Sequence, residues 1–130
     1  MAMIEYIAQL GAEMTHWRRD IHAHPELGFE ELRTANIVAE QLAGFGLEVH
    51  RGIGKTGVVG VLRAGSSTRS VGLRADMDAL PIVEANTFAH RSTHAGRMHA
   101  CGHDGHTAML LGAAKYLAAT RAFDGVAVSF

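Results

Sequence analysis

His99, Cys101, His103 and His106 put four potential metal donors into the short run Met98-His99-Ala100-Cys101-Gly102-His103-Asp104-Gly105-His106. A thiolate and an imidazole two residues apart suit zinc, cobalt or manganese, and the soft thiolate leans toward zinc. If the segment is extended, alternate side chains share a face, so His99, Cys101 and His103 point the same way. An apolar stretch of helical character follows, and a helix N-terminus there favours the thiolate. The competing reading makes Cys101 a small buried hydrophobe and His103 a hydrogen-bonded core histidine. A Cys-x-His pair alone does not separate the two, but four potential donors in one cluster favour metal binding. His99 and His106 are open between ligand, substrate contact and support for a ligand. His16, His22, His24, His50, His90 and His94 are scattered and read as surface or capping residues.

A second chemical segment is Arg74-Ala75-Asp76-Met77-Asp78-Ala79-Leu80-Pro81. Val71 and Leu73 before it read as strand, which puts Asp76 and Asp78 at the carboxyl end, where α/β enzymes gather their chemistry. Carboxylates placed there ligate a metal or accept the ring N–H of a ligating histidine and fix its tautomer. A solvated acidic turn accounts for this segment equally well.

The elements that must carry these residues follow from periodicity. Ile4, Ile7, Leu10, Met14, Trp17 and Ile21 recur every three to four residues, predicting an amphipathic helix that ends near His24-Pro25. A second helix is expected over 30–43, with Ala35, Val38 and Leu42 inward and Gly44 as its terminator. Short valine- and leucine-bearing runs at 47–51, 57–63 and 70–75 read as strands, with a turn at Gly65-Ser66-Ser67-Thr68. The stretch 107–119 is apolar nearly all round and reads as a helix buried against a sheet, and 125–130 as one more strand. Asp104 beside Gly105 is a candidate helix cap.

Composition narrows the class. A chain of 130 residues with 48% hydrophobic and 19% charged residues is globular and the size of one domain. A net charge of -1 leaves no basic footprint for nucleic acid or a membrane surface. The single cysteine excludes an internal disulfide and suits a reducing compartment. With no leader-like start and no bilayer-length apolar run, a cytoplasmic location is expected. The chain stops inside the apolar run 126–130, which suggests the N-terminal piece of a longer protein.

Three segments resemble the hippurate hydrolase/N-acyl-amino-acid amidohydrolase family, a branch of the aminoacylase-type di-metal peptidases. They are Arg19-Asp20-Ile21-His22-Ala23-His24-Pro25-Glu26-Leu27-Gly28-Phe29-Glu30, the Arg74–Pro81 segment, and Met98 through Ala108. The resemblance implies an α/β/α three-layer sandwich, of which residues 1–130 form the N-terminal portion. The rest of the catalytic domain and the dimerisation domain are missing from this sequence. It also implies one or two divalent ions (manganese, zinc, cobalt or nickel), a small N-acyl amino acid or peptide-like substrate, and a homodimeric or homotetrameric parent. Residues matching Cys101 and His103 are metal ligands in that family, and Asp78 matches the acidic residue that orients the site. The position of Asp76 is usually a histidine ligand in the wider superfamily; in this branch Cys101 is the distinctive ligand instead. The family's next motif, Gln-Pro-Ala-Glu-Glu, supplies the general base and a further ligand. It is absent here, as are the later ligating histidines. The implied activity is metal-assisted hydrolysis of the amide of N-acyl amino acids, with the isolated chain inactive. Two rivals remain: a non-catalytic metal-binding domain built from His99, Cys101, His103 and His106, and a cysteine hydrolase with Cys101 as nucleophile.

Overall fold

The computed structural model describes residues 1–130. The apolar stripe near the N-terminus forms two helices, α1 (Met3–Gln9) and α2 (Gly11–Ala23), where one was expected. They meet at Leu10, which caps the first and opens the second while keeping right-handed helical angles. The reason lies in what each half covers. Leu10, Trp17 and Ile21 are buried, whereas Ile4 is 79% exposed, so only the second half of the stripe faces the core. α2 stops at His24, before Pro25, as the proline requires.

α3 (Leu32–Gly44) buries Thr34, Val38, Ala39 and Leu42. Gly44 is its last residue rather than its terminator; the chain turns at Gly46, whose φ of +89° suits glycine. The strands are β1 (Glu48–Ile53), β2 (Gly57–Ala64), β3 (Ser70–Leu73) and β4 (Gly125–Ser129), with α4 (His103–Thr120) before the last. All the expected strands are present, with ends displaced by a residue or two. The sheet order is β1-β2-β4-β3: β1 and β4 flank β2 antiparallel, and β3 pairs with β4 in parallel. Parallel neighbours need a long crossover, and here α4 lies within it.

Alternation along β2 sets the faces. Val58, Gly60 and Leu62 are buried, while Val59 and Val61 are half-buried. Leu62 lies opposite Ala127 in the register, so the buried face continues across β4. One core joins Trp17 of α2, Val38, Ala39 and Leu42 of α3, Val58 and Leu62 of β2, and Ala108, Leu111 and Ala114 of α4. The fold class is thus the expected α/β, with helices α2, α3 and α4 sharing this core with the sheet. No helix is long and apolar enough to cross a membrane. Leu111 is 2% exposed within the core. Leu111→Ala is therefore expected to cost about 2–5 kcal/mol in urea unfolding; a loss under about 1 kcal/mol would mean the core is not closed around it.

Between β3 and α4 runs a long irregular segment with a narrow neck. Leu80 and Met98 exchange two backbone hydrogen bonds of 2.9 and 3.0 Å. The segment is tied to the end of α2, where both the amide and the hydroxyl of Thr93 donate to the Ala23 carbonyl.

Candidate functional site

β3 and β4 are parallel, so their carboxyl ends lie together at one edge of the sheet. The Phe130 amide donates to the Leu73 carbonyl, and the Ala75 amide donates back to the Phe130 carbonyl. Beyond this junction the chain leaves the sheet carrying Asp76 and Asp78, and α4 begins beside them with His103. This is the crevice outside the strand ends where open α/β sheets bind ligands.

The imidazole of His103 is fixed by Asp78. Its Nδ1 lies 2.9 Å from Asp78 Oδ1 and 3.0 Å from the Asp78 carbonyl oxygen. Both are acceptors, so Nδ1 carries the proton and donates, leaving Nε2 as a lone pair. A carboxylate behind a histidine in this way raises its basicity and aims its other nitrogen. The His103 side chain is 17% exposed and that of Asp78 37%, so the pair borders solvent without being lost in it. Asp76 does something different. Its carboxylate accepts from Arg74 Nε at 2.8 Å and is half exposed, while its carbonyl accepts from the buried Thr107 hydroxyl.

The expectation that His99, Cys101 and His103 share one face of an extended segment is not met. Residues 99–102 lie outside any strand and His103 is already helical, so the period-2 alternation does not hold across them. Gly102 makes the turn at φ +86°, a left-handed angle that costs glycine little. As a result His99 is buried, Cys101 is exposed, and His106 is exposed with its ring 5.8 Å from that of His103. No three His, Cys, Asp or Glu side chains converge in a way that would hold an ion. The four-donor local cluster is therefore not formed.

His22, read from sequence as a surface or capping residue, is instead 5% exposed. Its Nδ1 is 2.8 Å from Asp104 Oδ2 and its Nε2 is 2.8 Å from Glu84 Oε1. Asp104 is no simple cap: it is 2% exposed, sits in the first turn of α4, and has Arg18 Nη1 at 3.6 Å. Burial would raise the Glu84 carboxyl, but His22, the Ser92 amide and Asn86 outweigh it and bring the pKa down to about 2 from an ordinary 4.5. A depressed carboxyl stabilises the fold above its unfolded value and loses that contribution as pH falls through the folded one. Glu84 is thus expected to contribute stability above about pH 4.5 and to lose it toward about pH 2. Urea midpoints across that range should fall less steeply in Glu84→Gln, and identical slopes would refute the assignment.

His99 is 4% exposed and neither ring nitrogen has a hydrogen-bond partner. Its pKa is lowered chiefly by burial, with Asp104 opposing and the nearby His22 and His103 adding to the fall. Its ring packs 6.3 Å from that of His22. His90 is likewise lowered, by desolvation and by the charges of Arg19 and Arg18. Its Nε2 lies 3.5 Å from Arg18 Nη2 and can accept from it. The one hint of His22 in the sequence is that Arg18 and His22 are four apart, on one helix face. Its partners lie 62 and 82 residues away, beyond any local pattern.

A cavity of about 610 Å³ is lined by Asp76, Asp78 and His103 together with Phe29, Glu31 and Thr56. The Thr56 hydroxyl donates to Glu31, which ties the β1–β2 turn to the start of α3.

Residues 72–130 match Peptidase family M20/M25/M40. The hippurate hydrolase of Campylobacter jejuni is 56% identical over 125 residues, covering 96% of this chain and 32% of that protein. An N-acyl-L-amino acid amidohydrolase of Geobacillus stearothermophilus is 52% identical over 116 residues, covering 88% of this chain and 31% of that protein. A solved dinuclear metal binding peptidase of the M20 family from Bacillus subtilis superposes with a TM-score of 0.88 at 35% identity, covering 94% of this chain and 35% of that one. The chain spans about a third of the length of the curated relatives it matches.

Proposed function

The chain belongs to peptidase family M20/M25/M40, and from that premise we propose that it supplies one wall of a metal-dependent site that hydrolyses the amide of N-acyl amino acids. The observation that carries this reading is the His103 ring, whose Nδ1–H is spent on Asp78 and whose Nε2 is left bare, two residues along the chain from the exposed Cys101. This donor set fits a divalent ion in part. Cys101 and His103 would hold it, and Asp78 would orient His103 from behind. The remaining donors and the general base are assigned to the two-thirds of the relatives' length that this chain does not cover. When bound, such an ion supplies Lewis-acid polarisation of the scissile carbonyl and acidifies water.

The chain's own residues have three jobs in this scheme. Asp78 keeps the His103 tautomer with Nε2 free. The Gly102 turn joins the loop that carries Cys101 to the helix start that carries His103. The cavity against Phe29 and Thr56 offers room for the small substrates named for the relatives, hippurate and N-acyl-L-amino acids. Metal identity, cytoplasmic location and a homodimeric or homotetrameric parent belong to the same proposal.

The test is a zinc and manganese titration of the chelator-stripped chain, with Cys101→Ser alongside and N-benzoylglycine hydrolysis as the second readout. Weak binding that depends on Cys101, with no hydrolysis, is the expected result. Full-rate hydrolysis by these 130 residues would overturn it. Activity abolished by a thiol alkylator but untouched by chelation would favour a cysteine hydrolase instead.

A further inference from the structure

We propose that His22 is a positioning residue for His103, holding the first turn of α4 through Asp104 while Glu84 anchors the other side of the ring. The inference rests on the metal-site reading only for its consequence; the positioning itself is a property of the apo chain.

α4 starts without local support. Its N-cap is Gly102, which has no side chain to accept a first-turn amide, so the usual device that fixes a helix start is missing. Two consecutive residues make up for it with long-range contacts. His103 is held by Asp78, from the end of β3, and Asp104 is held by His22, from the last turn of α2. His103 is thus gripped directly on one side and through its neighbour on the other.

The His22 grip is rigid because both ring nitrogens are committed. Each lies 2.8 Å from a carboxylate oxygen, and an ionised carboxylate can only accept, so both nitrogens donate. Glu84 is itself immobilised by the Ser92 amide and by Asn86 Nδ2. The unpartnered ring of His99, two residues before Cys101, packs against the same imidazole. Asp104 at the start of α4, Glu84 and His99 therefore all meet at His22.

The experiment uses the full chain with ¹⁵N-labelled histidine and compares wild type with His22→Gln and with Leu62→Ala. Leu62 is a core residue of β2 and serves as a control for general destabilisation. Metal-free spectra of the wild type should show His103 as a fixed Nδ1–H tautomer. In His22→Gln that signature should collapse toward tautomer averaging; in Leu62→Ala it should persist at temperatures where both variants remain folded. Cobalt(II) titration then reads the consequence: affinity at Cys101 and His103 falls roughly 10- to 100-fold in His22→Gln and is unchanged in Leu62→Ala.

An unchanged His103 tautomer in folded His22→Gln would overturn the proposal, whatever cobalt does. If His22→Gln does not fold, Glu84→Gln, which loosens the ring from its far side, is read in the same way. A wild-type chain that shows the fixed tautomer but binds no cobalt would sink the metal-site reading and leave the positioning role standing.

Discussion

Asp104→Ala is expected to lose about 3–5 kcal/mol of unfolding free energy, the range for breaking a buried ion pair by removing one partner. The size follows from burial. Asp104 is 2% exposed and His22 5%, so the truncated site leaves the Nδ1–H of His22 without its acceptor in a dry interior. A domain of this size has only about 5–15 kcal/mol in total, so the variant should sit near its unfolding midpoint at moderate temperature. The same reasoning predicts that His22→Leu/Glu84→Leu/Asp104→Leu recovers much of the loss, because a packed apolar trio needs no charge compensation. Urea unfolding of both variants decides the matter. A single-variant cost below about 1 kcal/mol would show that solvent reaches the trio.

The second large effect lies at Asp78. Asp78→Ala removes the charged acceptor of the His103 Nδ1–H and leaves only the backbone carbonyl of residue 78 to hold the ring. Divalent-metal affinity at Cys101 and His103 is expected to drop about 10- to 100-fold, as for other outer-shell partners of ligating histidines. Stability should change little, since the Asp78 side chain is 37% exposed. Calorimetric zinc titration against the wild type reads the first quantity and thermal melting the second. Undiminished affinity with a normal melt would remove Asp78 from the proposed site.

Much of the scaffold is legible in the chain because its signals are local. The valine- and leucine-bearing run 57–63 marks a strand and the apolar run 107–119 a buried helix, and the structure forms β2 and α4 over them. Asp76 and Asp78 at a strand end followed from the same kind of local signal, whereas the contact of Asp78 with His103 comes from the fold and was implied beforehand only by the family resemblance. Two things were not legible. The 99–103 run has donors at alternate positions, but the backbone does not keep the extended geometry that would align them, and a left-handed glycine turns the chain into a helix. His22 looked like one scattered histidine among nine, because what makes it different is a pair of carboxylates brought from distant segments by the fold. Periodicity sees neighbours along the chain, whereas charge pairing in the interior depends on neighbours in space.

The paired hydrogen bonds between Leu80 and Met98 have a consequence for how such a chain can vary. They hold the two ends of the intervening segment side by side, like the stalk of a pouch. Closing a loop costs only slowly more as it lengthens, so residues added or removed beyond that stalk leave the strand edge and the start of α4 in place. Length is free to drift there, but Glu84 and Thr93 are not, because each reaches out of the pouch to α2. A lineage could remodel the pouch's outer surface repeatedly while the ring of His22 kept the same two carboxylates.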